Sequence, residues 1–282
     1  MIDIKRSLGL IKSPYDKRDY LIKNFLKFTP LPAKIDYTVQ MTPVRNQGAE
    51  GTCVGFATAV GVKEWMEQKE YKLYIPLSPR YVYEYARKID GSSPDSEGTT
   101  LVAATKTLVS KGICEEKFWP YVAQNPGKPD SKADLNASRY KIQPGWARIT
   151  NEKELRHYLN EYGPTLIGVV VYNNWYREKN GHIPNPTLWE RYINGALGGH
   201  AICLVGYDDK TQEYKFKNSW GSDWGDNGYG YLTYKHIRQI MMDAIGMIDM
   251  IENNHYANRI LCDINCEKMG DLPWYQHMVA WK

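Results

Sequence analysis

The sequence predicts an α+β chain in which a helical half is followed by a half dominated by strands. Apolar residues recur at helical spacing up to about Gly112, whereas from about Tyr140 they alternate or run together as in strands. Helices followed by strands favour two facing lobes with a binding cleft between them. We therefore expect a helical lobe at about 37–138 and a β-rich lobe at about 139–250.

Several segments carry these signals. The segment TCVGFATAVGVKEWMEQK contains small residues at helical spacing, which indicates a helix that another element approaches closely. LSPRYVYEYARKI offers Ser78 as an N-cap with Pro79 in the first turn, and TTLVAATKTLVSKGI ends at Gly112. Strand patterns follow in IGVVVY, HAICLVGY, EYKFKNSW and GYGYLTY, with one helix in NEKELRHYLNEYG.

The two ends of the chain differ from this body. Residues 1–36 mix charged and apolar residues with scattered prolines and show no sustained period, so we interpret them as an arm wrapped on the body. The C-terminal extension at 251–282 is interpreted as a small appended element or the start of a further domain, and no function is predicted for it.

Composition argues against several classes of protein. The net charge of +4 comes from basic and acidic residues mixed along the chain, which is unlike the basic face of a nucleic-acid binder. No stretch approaches the roughly 20 apolar residues that cross a bilayer, and no signal-peptide core is visible. We expect a soluble monomer without nucleic-acid or membrane partners, with the cytoplasm as the default location.

The five cysteines predict reduced thiols, because an odd, scattered set does not form a disulfide framework. Cys262 and Cys266 are four residues apart, but without a second ligand pair they are a weak metal signal. The acidic loop at Asp223 and Asp226 lacks the ligand spacing of a calcium loop and is better interpreted as a turn. We expect no metal and no cofactor.

Cys53 stands out because it begins the first predicted helix, directly after the loop VRNQGAEGT. An arbitrary cysteine is usually an inert core residue. At a helix N-terminus, however, the macrodipole favours the thiolate, the form that attacks carbonyl carbon.

Three polar residues accompany Cys53. Gln47 precedes it in the loop, where a side-chain amide beside a backbone N–H can stabilise an oxyanion. His200 and Asn218 follow far downstream, at about the distances expected for the base of a thiol enzyme and its orienting residue. Trp220 is placed to shield the Asn218–His200 contact from water.

The blocks PVRNQGAEGTCVGFA, GGHAICLVGYD and KNSWGSDWGDNGYGYL, in this order, resemble the signature blocks of papain-like cysteine peptidases. With weaker similarity elsewhere, the resemblance covers about residues 36–250. It implies a helical lobe that carries the nucleophile and a β-barrel-like lobe that carries the histidine. It also implies hydrolysis of peptide bonds in polypeptides through a thioester, with a peptidase inhibitor as a further partner.

The resemblance assigns roles residue by residue. It implies that Cys53 is the nucleophile, His200 the acid/base, Asn218 its orienting residue, and Gln47 the oxyanion donor. Substrate-binding positions implied in the same way are Gly98, Thr99, Gly199 and Trp220.

Departures from the family pattern concern the surroundings of the site. Val54 replaces the tryptophan that usually follows the nucleophile, and Glu50 replaces a cysteine that usually forms a disulfide. The N-terminal residues are too few for the usual inhibitory propeptide. We hypothesise that this arm buttresses the body or partly occludes the cleft.

Two other functions remain open from sequence. One is a catalytically silent papain-like protein that binds peptides, although such degeneration normally removes the nucleophile or the histidine. The other is a thiol enzyme that acts on cell-wall peptides, although the NSWG block is unlike such enzymes.

Overall fold

The computed structural model describes residues 7–93, 95–142 and 144–249. Cys262, Cys266 and the C-terminal extension lie outside the described residues. Within the described ranges, no helix is both long enough and apolar enough to cross a membrane. The three cysteines in these ranges, Cys53, Cys114 and Cys203, are free thiols, as predicted, and all three are buried.

Most of the helical lobe is built on one long helix that begins at the nucleophile candidate. Its first turn, α1, continues through a π-helical stretch at Ala57–Lys63 into the second segment, α2. The α-helices are α1 Cys53–Phe56, α2 Glu64–Tyr71, α3 Pro79–Asp90, α4 Leu101–Ser110, α5 Ala133–Ala137, α6 Glu152–Glu161 and α7 Tyr234–Ile240. Shorter helical turns are Ile22–Asn24, Thr38–Gln40, Glu116–Phe118, Asn173–Arg177 and Glu190–Asn194.

Local signals account for where α3 begins and for how closely the long helix packs. Ser78 caps α3, accepting a hydrogen bond from the Tyr81 amide at 3.1 Å, and proline fills the first turn as predicted. The glycines of the long helix permit the expected close approach. A Cβ on Gly55 would lie 2.5 Å from the Pro79 carbonyl oxygen, and one on Gly61 would lie 2.6 Å from the Cβ of Cys203.

A seven-stranded, antiparallel sheet forms the second lobe, which confirms the α+β class. Its order is β4-β9-β5-β6-β7-β8, with β2 paired to β6. The bounds are β2 Lys34–Asp36, β4 Pro144–Arg148, β5 Thr165–Val171, β6 Gly198–Asp208, β7 Glu213–Lys217, β8 Tyr229–Thr233 and β9 Met241–Asp249. The four predicted strands are β5 to β8. Among the described residues no pairing joins β8 to β4, so the barrel-like closure stays a prediction.

From Pro14 onward the predicted arm is part of the body. The Arg148 side chain donates to the Asp19 carboxylate at 2.6 Å and to the Pro14 carbonyl at 2.7 Å. Ile22 is fully buried in the core behind the sheet, and β2 extends the sheet at β6. The segment before Pro14 behaves differently, because β1 (Leu10–Ile11) pairs in parallel with β3 (Thr99–Thr100) on the helical lobe.

Candidate active site

Cys53 lies fully buried where the long helix begins, facing β6 of the other lobe. The Phe56 amide donates to the Thr52 carbonyl, so the first helical turn is formed and its positive end lies at the sulfur. Burial raises the pKa of the Cys53 thiol to about 11, while backbone N–H groups of Ala201 and Gly9 at the sulfur oppose that rise. The thiol is therefore dry and protonated in this arrangement.

His200 and Asn218 form the predicted contact, with His200 Nε2 2.8 Å from Asn218 Oδ1. The same Oδ1 accepts the backbone N–H of Ser219 at 2.9 Å. A backbone N–H only donates, so this atom of the Asn218 amide is its oxygen. It follows that Nε2 of His200 carries the proton, and that Nδ1 is the basic nitrogen of the neutral ring.

Trp220 lies against this pair. Its ring stacks on the imidazole of His200 with 4.6 Å between centroids and 25° between planes, and it is 5% exposed. Trp175 approaches the same imidazole edge-on at 5.9 Å. These rings keep water from the hydrogen bond between His200 and Asn218, which strengthens it.

Gln47 is fully buried, and its amide orientation is fixed by its partners. Its Nε2 donates to the carbonyl oxygens of Glu50 at 2.9 Å and Ser7 at 3.1 Å, and carbonyls only accept. Its Oε1 accepts from the Ser219 hydroxyl at 2.5 Å. One N–H of the amide therefore points at Glu50, while the other points into the cleft, where the Ser7 carbonyl lies.

Ser219 links these residues, and sequence reasoning missed it. Its amide N–H fixes Asn218, its hydroxyl holds the Gln47 side chain, and its carbonyl accepts the Gln47 backbone N–H at 2.9 Å. The available signal was its position between Asn218 and Trp220 in the NSWG block.

The N-terminal segment at residues 7–13 lies along the cleft and covers the nucleophile. Thr99 donates its amide to the Gly9 carbonyl at 3.0 Å, and the Gln47 side chain donates to the Ser7 carbonyl at 3.1 Å. Only glycine fits here, because a Cβ on Gly9 would lie 1.7 Å from the carbonyl oxygen of Gly51. Sequence reasoning raised occlusion as one of two hypotheses for the arm but did not identify Gly9.

Three of the predicted substrate-binding positions contact this segment. Thr99 is the first of them, through its bond to Gly9. A Cβ on Gly98 would lie 2.7 Å from the Gly9 carbonyl oxygen, and a Cβ on Gly199 would lie 2.4 Å from the Leu10 carbonyl oxygen. Leu10 itself is 6% exposed, with its side chain against Gly168. The fourth position, Trp220, lies on His200 instead.

Comparison with sequence families gives one extensive match. The sequence model of the family described as papain family cysteine protease matches residues 31–248, more than half of the chain. The matched range contains all four residues predicted to be catalytic.

Individual relatives are similar at moderate identity. An uncharacterized peptidase C1-like protein of Acanthamoeba polyphaga mimivirus is 28% identical, with 83% of each chain covered. Cathepsin J of Mus musculus is 29% identical, with 83% of this chain and 70% of the mouse protein covered.

Two solved structures are similar in fold to this chain. Xylellain, a cysteine protease from Xylella fastidiosa, superposes with a TM-score of 0.75 at 28% identity, covering 89% of this chain and 99% of that one. Procathepsin B S9 from Trypanosoma congolense shares the fold at 16% identity, with a TM-score of 0.68 and coverage of 88% and 87%.

Proposed function

Because this chain belongs to the papain family of cysteine proteases and is a cysteine peptidase, we propose that it is an endopeptidase that acts through a thioester on Cys53. The observation that carries this proposal is the hydrogen-bond pattern around His200, Asn218 and Gln47. This pattern supports a basic Nδ1 on the buried imidazole of His200 and a fixed amide donor on Gln47, in the loop that leads into Cys53.

The chemistry follows from these assignments. His200 Nδ1 takes the Cys53 proton, and the thiolate attacks the substrate carbonyl carbon. The oxyanion accepts hydrogen bonds from Gln47 Nε2 and the Cys53 backbone N–H. Protonated His200 then gives its proton to the leaving amine, a water deprotonated by His200 hydrolyses the thioester, and Asn218 keeps the imidazole oriented throughout.

The path of the N-terminal segment supports internal cleavage. Residues 7–13 pass along the cleft and continue into the body at Pro14, so the cleft accommodates a stretch of chain with residues on both sides of the nucleophile. A cleft that holds an internal segment suits an endopeptidase with an extended polypeptide substrate. We propose that the active unit is a monomer and that a protein inhibitor binds in the same cleft.

The same segment makes the chain latent. The Ser7 carbonyl accepts from Gln47 Nε2 at 3.1 Å, and the Gly9 carbonyl accepts the Thr99 amide at 3.0 Å. The segment thus takes up groups that a substrate would use. Substrate therefore enters only after residues 7–13 have moved away.

Occupation of the cleft also favours a second candidate, a catalytically silent protein that binds peptides. Hydrolysis distinguishes the two. In the full chain, Gly9→Ala displaces the segment by steric conflict, and we expect this variant to cleave a fluorogenic peptide library. Ile11→Ala is the matched control, because Ile11 lies in the same segment and is 45% exposed.

The proposal requires that cleavage by Gly9→Ala disappears when Cys53→Ala is added. Cleavage that survives Cys53→Ala would reject Cys53 as the nucleophile. A folded Gly9→Ala variant that binds peptides and cleaves none would favour the silent peptide-binding protein.

A further inference from the structure

A buried ion pair lies beside the nucleophile loop, outside the groups that take part in the proposed chemistry. Arg80 is fully buried and Glu50 is 7% exposed, and two N–H···O contacts of 2.6 Å join the guanidinium to the carboxylate. The same carboxylate accepts the Gln124 amide at 2.8 Å. Arg80 also donates to the Val122 carbonyl at 2.8 Å and to Glu84 at 3.0 Å.

The ion pair anchors Glu50, whose backbone carbonyl orients the side-chain amide of Gln47. The carbonyl oxygen of Glu50 accepts one N–H of the Gln47 side-chain amide at 2.9 Å and the Thr52 backbone N–H at 2.8 Å. Because the two hydrogens of a primary amide are fixed relative to each other, anchoring one of them sets the direction of the other. That other hydrogen is the one that points into the cleft at the Ser7 carbonyl.

Tyr121 fastens the same loop on its other side. Its hydroxyl donates to the Gln47 carbonyl at 2.6 Å and accepts from Thr52 Oγ1 at 2.8 Å, and its oxygen lies 3.3 Å from the Glu50 carboxylate. The ring of Tyr121 also lies 4.8 Å from the Arg80 guanidinium. The ion pair and the tyrosine thus hold the loop between Gln47 and Cys53 from both sides.

We propose that the Glu50–Arg80 ion pair is a positioning device for the oxyanion donor: it holds the Glu50 carbonyl so that the second N–H of Gln47 is aimed at the oxyanion. This inference rests on the proposed thiol-peptidase function. It predicts that disturbing the pair impairs steps in which an oxyanion forms and spares steps in which none forms.

Two reactions at Cys53 separate these cases. Hydrolysis of a peptide amide passes through an oxyanion, whereas alkylation by iodoacetamide is a direct displacement of iodide by the thiolate without one. Arg80→Lys keeps the positive charge but loses the bidentate hydrogen bonding to the Glu50 carboxylate. In the Gly9→Ala chain we expect Arg80→Lys to lower kcat for a peptide amide about 10- to 100-fold, with KM and the alkylation rate changed by less than about 3-fold.

A double-mutant cycle tests whether the pair acts through Gln47. If it does, Arg80→Lys lowers kcat in the Gly9→Ala chain but changes kcat by less than about 3-fold once Gln47→Ala is also present. Equal losses in both backgrounds, or a parallel loss of kcat and alkylation rate, would overturn the positioning role and indicate general loosening of the fold.

Two further measurements keep the test decisive. If Arg80→Lys does not fold, Glu50→Gln keeps the shape of that side chain while removing the charge of its carboxylate, and it enters the same cycle with the same expectation. If Gly9→Ala hydrolyses no peptide, the proposed function fails. The affinity for a peptide aldehyde then tests the positioning role, because the reversible aldehyde adduct on Cys53 carries an oxyanion. A loss of affinity of about tenfold or more on Arg80→Lys supports that role. An affinity that is unchanged or absent overturns it.

Discussion

At the residue scale, the site is defined by which atoms donate and which accept. The backbone N–H of Ser219 fixes the Asn218 oxygen, that oxygen fixes the proton on His200 Nε2, and the proton there makes Nδ1 the base. Each step follows from a group that has only one hydrogen-bonding role. The reactivity of Cys53 therefore depends on groups that never touch the substrate.

Asn218→Ala tests these assignments of hydrogen-bond donors and acceptors. Without Asn218 Oδ1, the imidazole loses the partner that fixes its tautomer, so we expect kcat of the Gly9→Ala chain to fall about 10- to 100-fold with little change in KM. Steady-state kinetics on a fluorogenic peptide measure this effect. Asn24→Ala, at an exposed asparagine, is the control, and equal kcat values for the two variants would contradict the assignment.

Residue identities were easier to predict than the contacts among them. Gln47, Cys53, His200 and Asn218 each lie in a block with a recognisable order of residues. The bond from Ser219 to Gln47 joins positions 172 residues apart, and Glu50 stood out in the sequence only as a departure from the family pattern. Such contacts depend on how the lobes meet, which local periodicity does not encode.

At the scale of elements, the N-terminal segment is held by the close packing of Leu10 and Gly9 in the cleft more than by a long strand pairing. The strand β1 has only two residues, so its pairing with Thr99 and Thr100 contributes few hydrogen bonds. The Leu10 side chain and the absence of a side chain at Gly9 provide the rest of the match. A short segment of this kind is suited to dissociate and return.

Leu10→Ala is expected to weaken this docking. Truncating a buried leucine costs about 2–5 kcal/mol, and each 1.4 kcal/mol shifts an equilibrium tenfold. We therefore expect hydrolysis by the otherwise unchanged full chain to rise by at least about tenfold, measured against Ile11→Ala in the same strand. Activity of Leu10→Ala equal to that of Ile11→Ala would show that the segment does not limit access.

The elements that sequence did not identify share a physical cause. The two residues of β1 are too few to show a period. The helix α7 runs into β9 at Met241 without a glycine or proline between them, so no boundary signal separates the two. By contrast α3, with its cap at Ser78 and its proline, was predictable because local chemistry starts it.

At the scale of the whole molecule, the two lobes are joined directly behind the site. Lys217, the residue before Asn218, crosses from β7 to the helical lobe. Its ammonium donates to the Thr42 carbonyl at 2.7 Å, to the Thr42 hydroxyl at 3.0 Å and to the Val60 carbonyl at 2.9 Å. The position of Asn218 is thereby tied to the lobe that carries Cys53.

Lys217→Met is expected to reduce stability in a pH-dependent way. Burial lowers the pKa of Lys217 to about 8, against the opposing effect of the Glu64 carboxylate. Between that pKa and its ordinary value of 10.5 the unfolded chain binds a proton that the folded chain has released, so the contribution of Lys217 to stability grows as pH rises through this window.

Unfolding in urea at several pH values measures this contribution. The variant should be less stable than the unchanged chain by about 1–3 kcal/mol at pH 7, because buried carbonyls lose their donor. This difference should widen by up to about 1.4 kcal/mol per pH unit above pH 8. Lys210→Met, at an exposed lysine, is the control, and a difference for Lys217→Met that stays constant with pH would contradict the account.

Labelling with an epoxide-bearing peptide tests whether Cys53 is an activated nucleophile beneath a removable segment. Intact mass and peptide mapping should show one adduct on Cys53 in the Gly9→Ala chain, forming much faster than in the unchanged chain, and none on the buried thiols Cys114 and Cys203. Folded Gly9→Ala protein that remains unlabelled, or that is labelled equally after Cys53→Ala, would contradict the account.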